Sequence, residues 1–402
     1  MKIVIAAWHL KDFNVGLGRY CRGLIEAIGR VDEENRYEIL MPDDSYRFPE
    51  RPNIRHRLVR FPFFKRRFWE QVAPLLTGRY DLLHFPYDSA VAWKRGPFVV
   101  TMHDVKPLIY GTDRSRRNLN RFIEGLLIRD KWASIDHILT DSQCSKRDIV
   151  EHLGIPEDRI TVVYPGVELG RFQPVPLENQ VEVEAKVKAD HGRRNALPST
   201  LTCGRSRPYV LCVAGADPSK NVETLVEAFA RLALPLRDKH DLVLVGDFRR
   251  RADLRDLVGR VGIEKQTVFT GIVSDDQLID LYQHASLFVF PSRYEGFGLP
   301  VLEAMACGCP VICSNVSSLP EVAGDAALLV DPSGMAGLAC EMERVLTDSH
   351  LRQGLRERGL TQAAKFTWDR TARETIAVYK KVVQKQSSKF DVHEHRTSNS
   401  EL

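Results

Sequence analysis

Glu295 and Glu303 bracket the run Gly296-Phe297-Gly298-Leu299-Pro300. The glycines let a backbone approach a ligand closely. Pro300 fits the first turn of a helix and Gly308 its end. The apolar run Ser286 to Phe290 just before it reads as a strand, so this helix opens at the C-terminal edge of a sheet. Unpaired N–H groups and the helix dipole favour a phosphate there by roughly 0.3 to 2 kcal/mol. Two carboxylates beside an anion site need their own partners, and carboxylates accept hydrogen bonds from hydroxyl pairs. Glu303, inside the helix, suits a ribose diol, and Glu295, before the glycines, suits sugar hydroxyls. A ligand with phosphate and two polyol groups satisfies all three features. The same residues also fit a solvated loop and helix with ordinary surface glutamates.

Positioning such a site takes a sheet edge, and the chain repeats the pattern of one. Val- and Ile-rich runs recur at Ile3 to Ala7, Tyr37 to Met41, Asp81 to Phe85, Phe98 to Met102, His137 to Thr140 and Thr161 to Tyr164. The rhythm restarts at Tyr209 to Val213, Leu242 to Val245, Thr267 to Thr270, Ser286 to Phe290, Pro310 to Cys313 and Ala327 to Val330. Short apolar runs alternating with helical stretches predict parallel sheets covered on both faces, here two doubly wound α/β domains. The expected division is 1–173 for the first domain, 174–207 for a linker or insertion, and 208–365 for the second domain. A helix over 366–385 completes the first domain, and a polar, disordered tail spans 386–402.

At 402 residues with 44% apolar and 27% charged residues, the chain is sized for two cores. Its net charge of +4 gives no general case for nucleic-acid binding. Eight cysteines without C-x-x-C spacing read as buried thiols of a reducing compartment; Cys307 and Cys309 lack partners at zinc spacing and read as packing. No apolar run approaches the roughly 20 residues of a membrane span, and Met1 to Leu10 reads as a first strand rather than a signal peptide. A cytoplasmic location follows as an expectation.

The segment Ser292-Arg293-Tyr294-Glu295-Gly296-Phe297-Gly298-Leu299-Pro300-Val301-Leu302-Glu303 resembles the signature of glycosyltransferase family 4, retaining enzymes of the GT-B fold. Further pieces stand in family order: Val15-Gly16-Leu17-Gly18-Arg19-Tyr20, Thr101-Met102-His103-Asp104, Val163-Tyr164-Pro165-Gly166-Val167, Gly215 to Asn221, Leu319-Pro320-Glu321-Val322 and Phe366 to Ala372. The resemblance implies two Rossmann-like domains facing each other across a cleft. It implies Glu303 on the nucleotide ribose, Glu295 and His103 on the donor sugar, and the amides of 296–300 on phosphate and sugar. Gly16 and Gly18 would approach the diphosphate, and Lys220 would neutralise it as it departs. Asp104 would orient its loop or His103. Relatives often carry Arg before this lysine; here Ser219 stands there, and Arg293 or Arg19 is the candidate replacement. No metal or other cofactor is implied. A dinucleotide-binding reading of Gly16-x-Gly18-x-x-Cys21 lacks the third small residue.

Gly16-x-Gly18-Arg19-Tyr20 with His103-Asp104 resembles the bacterial mannosyltransferase branch of O-antigen and capsule assembly. That implies GDP-mannose as donor, with UDP-sugars and dTDP- or GDP-deoxysugars left open, and a glycan or polyprenyl-linked acceptor. Between Arg51 and Trp69 seven basic residues and no acidic ones alternate with aromatics. This stretch fits either contact with the inner face of the cytoplasmic membrane or a basic face over core aromatics. Competing readings are a UDP-sugar epimerase, a sugar-phosphate synthase, or a non-catalytic nucleotide-sugar-binding subunit.

Overall fold

The computed structural model describes residues 1–12, 16–60, 66–89, 91, 94–111, 134–175 and 207–398. Val15 of the first glycine motif, residues 61–65 of the basic–aromatic stretch, and 176–206 of the linker lie outside this set. The chain divides into two units, one of Met1–Gly166 with Thr367–Leu402 and one of Val167–Phe366.

The first unit holds a seven-stranded parallel sheet: β1 (Lys2–Ala6), β2 (Arg36–Met41), β3 (Ile54–Leu58), β4 (Leu82–Phe85), β5 (Phe98–Thr101), β6 (His137–Thr140) and β7 (Ile160–Val162). Their order is β3-β2-β1-β4-β5-β6-β7. All four residues of each of β4, β5 and β6 are buried, as expected of strands covered on both faces. β3 is an addition to the sequence reading. It is an edge strand with half-exposed or exposed Arg55, His56 and Arg57, so it lacks the continuous apolar run that marks the others. It splits the basic–aromatic stretch between a strand and the helix Arg66–Val72. Trp69 of that helix is 1% exposed and donates its Nε1–H to the Val59 carbonyl, so this aromatic belongs to the core, while Phe68 is exposed.

Helix Trp368–Ser398 packs on helix Gly16–Val31 and buries Trp368, Ala372 and Tyr379. It runs through 386–398, where a disordered tail was expected. Neither Gly nor Pro interrupts the segment, so nothing stops a helix already nucleated on the sheet. The first domain also ends earlier than the expected residue 173. The Val167 N–H donates to Phe366, and Arg171 pairs with Asp275 and Asp276, tying 167–175 to the second unit.

The second unit contains β8 (Tyr209–Val213), β9 (Asp241–Val245), β10 (Thr267–Gly271), β11 (Leu287–Phe290), β12 (Val311–Ser314) and β13 (Leu328–Val330). They pair in the order β10-β9-β8-β11-β12-β13, all parallel. Relabelled within the unit this is 3-2-1-4-5-6, the order that binds nucleotides where the winding reverses. The reversal lies between β8 and β11. Of the cysteines described, Cys340 is exposed, contrary to the expectation of buried thiols, and the others, Cys307 and Cys309 included, are buried.

Candidate active site

In the second unit the loops leaving β8 and β11 meet just beyond the reversal point. The β8 loop turns through Asp217, whose carboxylate accepts the Ser219 N–H, and through Asn221, at φ +56°. The Asn221 amide donates to the carbonyls of Pro291 and Pro332, which fixes the turn to the end of β11. Lys220 is thereby aimed across the reversal: its Nζ lies 2.6 Å from Glu295 Oε1 and 5.1 Å from the Phe290 ring centre. The Lys220 and Glu295 side chains are 23% and 12% exposed, so the pair is shielded yet reachable.

The segment 295–300 is clamped from β12. The Glu295 N–H donates to Ser317 Oγ, Ser317 donates back to the Glu295 carbonyl, and Ser318 Oγ reaches the carbonyls of Glu295 and Phe297. Gly298 precedes helix Leu299–Ala306 at φ +109°, a backbone conformation that strains any residue with a side chain, and a Cβ there would also push on the Leu319 methyl 2.7 Å away. Pro300 occupies the first turn. Gly296 is buried, Leu299 and Pro300 are half-buried, and Phe297 packs its ring edge-on to Phe366, so Phe297 can offer a ligand its backbone only. Glu303 is 5% exposed and accepts a hydrogen bond from the Tyr282 hydroxyl at 3.2 Å. The buried, hydrogen-bonded carboxylate does not fit the alternative of an ordinary surface glutamate.

Ser219, where relatives often carry Arg, is buried, and its carbonyl accepts the Arg293 N–H. Arg293 is exposed and sits in the same loop assembly, whereas Arg19 belongs to the first unit.

In the first unit, Gly16 opens helix Gly16–Val31 just after the β1 turn at φ +23° and is exposed; Gly18 is buried and Arg19 half-buried. His103 follows β5. The β5–β6 register pairs Val99 with His137, Val100 with Ile138 and Thr101 with Leu139. Carried past the strand ends, that register sets His103 against Asp141. His103 Nδ1 lies 2.5 Å from Asp141 Oδ2, and Nε2 lies 3.2 Å from the Pro86 carbonyl at the end of β4. Burial pulls the imidazole's pKa down, but the Asp141 charge and hydrogen bond, the Pro86 carbonyl and Asp104 outweigh it and lift His103 to about 9. Asp104 accepts the Lys106 N–H and so shapes the loop. Behind His103, His84 is fully buried between the hydroxyls of Tyr379 (2.6 Å) and Thr101 (2.9 Å), and burial with the His103 charge holds it down to about 3.

Ser317, Ser318, Tyr282, Pro86 and Asp141 are positioning groups that the sequence reading did not single out. Ser317-Ser318 ahead of Leu319-Pro320 was the one local signal, a polar pair at a helix start. The other three reach their partners through strand register or helix packing.

The chain is similar to known proteins along most of its length. A family model described as "Glycosyltransferase Family 4" matches residues 16–171, and one described as "Glycosyl transferases group 1" matches 201–362. The chain is 31% identical to O-antigen chain mannosyltransferase B of Escherichia coli, over 94% of this chain and 100% of that one. It is 32% identical to the serotype-specific mannosyltransferase WbdA of Escherichia coli, over 73% of this chain and 34% of that longer protein. Among solved structures, sucrose-phosphate synthase from Thermosynechococcus elongatus superposes with a TM-score of 0.71 at 22% identity, covering 95% of this chain and 99% of that one. WaaG, a glycosyltransferase involved in lipopolysaccharide biosynthesis, gives 0.69 at 16% identity, covering 94% and 99%. Two parallel-sheet Rossmann-like units, a glutamate-bracketed helix start at the reversal of the second, and full-length similarity of this kind make the chain a glycosyltransferase of family 4 with the GT-B fold.

Proposed function

We propose that the protein transfers a mannosyl residue from GDP-mannose, with retention of anomeric configuration, to a glycan or polyprenyl-linked acceptor during bacterial surface polysaccharide assembly. The observation that carries this reading is the shielded Lys220–Glu295 pair over the reversal point of the second sheet, beside the segment that Ser317 and Ser318 clamp at Glu295 and Phe297. Full-length similarity to a protein named as an O-antigen mannosyltransferase supports the choice of sugar.

Glu303 accepts the ribose hydroxyls, and Glu295 the donor-sugar hydroxyls. The N–H groups of 296–299 and the helix start hold the diphosphate, with Pro300 shaping the first turn and Arg293 beside them. When the nucleotide enters, the Lys220 ammonium exchanges part of its Glu295 contact for the diphosphate and stabilises the charge that grows as the glycosidic bond breaks. The acceptor oxygen attacks the oxocarbenium-like centre from the face the diphosphate leaves, and its proton passes to the departing phosphate. From the first unit, His103, Gly16 and Gly18, with Arg19 and Asp104 in support, are assigned to the donor's sugar and diphosphate on the family signature. Because Lys220 and the helix start supply the positive charge, turnover is expected to need no metal. No helix among the described residues is long and apolar enough to cross a membrane. The assigned setting is the cytoplasm, at the membrane face where a polyprenyl-linked acceptor is presented.

The test is a panel of GDP-, UDP- and dTDP-sugars scored by nucleotide release with and without polyprenyl-linked glycans, in the presence and absence of EDTA. Acceptor-dependent release from GDP-mannose that survives EDTA is expected. Release only from UDP-sugars, or release without an acceptor accompanied by epimerised sugar, would replace this reading.

A further inference from the structure

We propose that Asp141 is a positioning residue that keeps His103 doubly protonated, so that His103 serves the transfer as a fixed cation and hydrogen-bond donor and never as a base. The inference rests on the reading of His103 given above and adds to it the residue through which it is controlled.

Geometry carries the argument. Both ring nitrogens of His103 face acceptors, Asp141 Oδ2 at 2.5 Å and the Pro86 carbonyl at 3.2 Å. Against an ionised Asp141, a neutral imidazole has one N–H and would leave one nitrogen lone pair against an oxygen, whereas the imidazolium satisfies both contacts. Burial pushes the Asp141 carboxyl up, and the His103 charge and hydrogen bond pull it back, so the two groups hold their charges as a pair. Asp141 is 5% exposed, and its Oδ1 has no hydrogen-bond partner among the described residues. A buried carboxylate persists only with a counter-charge, and the cationic ring supplies one. The ring plane is fixed by Tyr20, whose buried ring meets it edge-on at 4.6 Å from the helix that Gly16 opens.

The other titratable groups around His103 do not compete for this charge. Burial, the Arg66 guanidinium and the His103 charge hold His9, in the turn after β1, down to about 4, and His84 in β4 is held down to about 3. Burial with the Asp141 charge keeps the Tyr20 phenol protonated throughout. Asp104, in the same loop as His103, adds a second negative charge in favour of the cation. Of the three clustered histidines, His103 alone is charged near neutrality. Both of its N–H groups are engaged within the unit. A donor hydroxyl or phosphate oxygen therefore reaches Nε2–H by replacing or sharing the Pro86 carbonyl, while the bond to Asp141 stays in place.

The sign of the pH dependence follows. The cationic form is complete at neutral pH and is lost as pH rises through about 9, so activity should fall on that alkaline limb. Asp141→Asn keeps the shape but removes the counter-charge. Burial then dominates and moves the limb down by about two units or more. The experiment has two arms on the full-length protein: imidazole ¹⁵N NMR titration of His103, assigned with His103→Gln, and pH profiles of nucleotide release from GDP-mannose for the wild type and Asp141→Asn. Protonation of both His103 nitrogens near neutrality in the wild type, with the Asn variant shifting both the NMR titration and the alkaline limb downward, is the expected result. A neutral His103 at about pH 7 in the wild type would overturn the inference, as would an alkaline limb that stays in place while the NMR titration moves. The wild-type titration needs neither donor nor Asp141→Asn, so it decides the charge state even if Asp141→Asn fails to fold. A wild type that releases no nucleotide from any donor defeats the proposed function, while the titration still decides the charge of the His103–Asp141 pair.

Discussion

Replacing Glu303 by Gln changes one charge and almost no volume, which makes it the sharpest probe of the proposed nucleotide site. The carboxylate is 5% exposed and already accepts the Tyr282 hydroxyl at 3.2 Å, so its orientation is set before any ligand arrives. A ribose diol donating to it makes two charge-assisted hydrogen bonds of about 1.5–3 kcal/mol each, whereas the amide offers one neutral acceptor of about 0.5–1.5 kcal/mol. The net loss is about 2.5–4.5 kcal/mol, or about 60- to 1,600-fold in Kd at about 1.4 kcal/mol per decade. The direction discriminates as well as the size. A glutamate near a diphosphate repels it, so if Glu303 only packed the helix, removing its charge would leave affinity unchanged or raise it. Titration calorimetry with GDP and UDP measures Kd, and a thermal melt of the unliganded variant within a few degrees of the wild type certifies the fold. A folded Glu303→Gln protein that binds nucleotide within about threefold of the wild type, or more tightly, would refute the ribose assignment.

Further perturbations test the rest of the framework. Lys220→Ala should lower kcat by about 10² to 10³ with a smaller change in KM, as expected for a group whose charge matters most in the transition state. Steady-state nucleotide release reads this directly, and an unchanged kcat would confine Lys220 to its pairing with Glu295. Tyr379→Phe should leave His84 Nδ1 without its 2.6 Å partner in a fully buried setting and cost about 1–3 kcal/mol of stability in urea denaturation. Gly246→Ala should cost about 3 kcal/mol or more and drastically reduce soluble yield, since φ is +136° and the added Cβ would stand 2.0 Å from the Ala214 carbonyl oxygen.

Much of this molecule could be read before any coordinates. The inner strands, buried on both faces, must be continuous apolar runs, and the edge strands β7, β10 and β13 keep enough apolar residues to be read as well, so every strand except β3 was legible and the alternation with helices announced two doubly wound sheets. The helix start at Gly298-Leu299-Pro300 was equally legible, because a glycine held at positive φ and a proline in a first turn are local demands. β3 escaped because an edge strand keeps its arginines in solvent and shows no apolar signature. The helical continuation past 385 escaped because a polar segment reads alike whether it is free or extends a helix already anchored by Trp368 and Tyr379.

The site divides along the same line. Residue chemistry named Glu295, Glu303 and the glycines, since the segment proposed to bind phosphate and hydroxyls is contiguous in the chain. Family motifs added Lys220 and His103. What each of these touches was decided by folding alone. Lys220 meets Glu295 because β8 and β11 are neighbours across the reversal of the second sheet. His103 meets Asp141 because β5 and β6 pair in one particular register, and Pro86 closes the set because β4 lies on the other side of β5. Charge states and hydrogen-bond partners belong to neighbours in space, and a single sequence lists neighbours along the chain only.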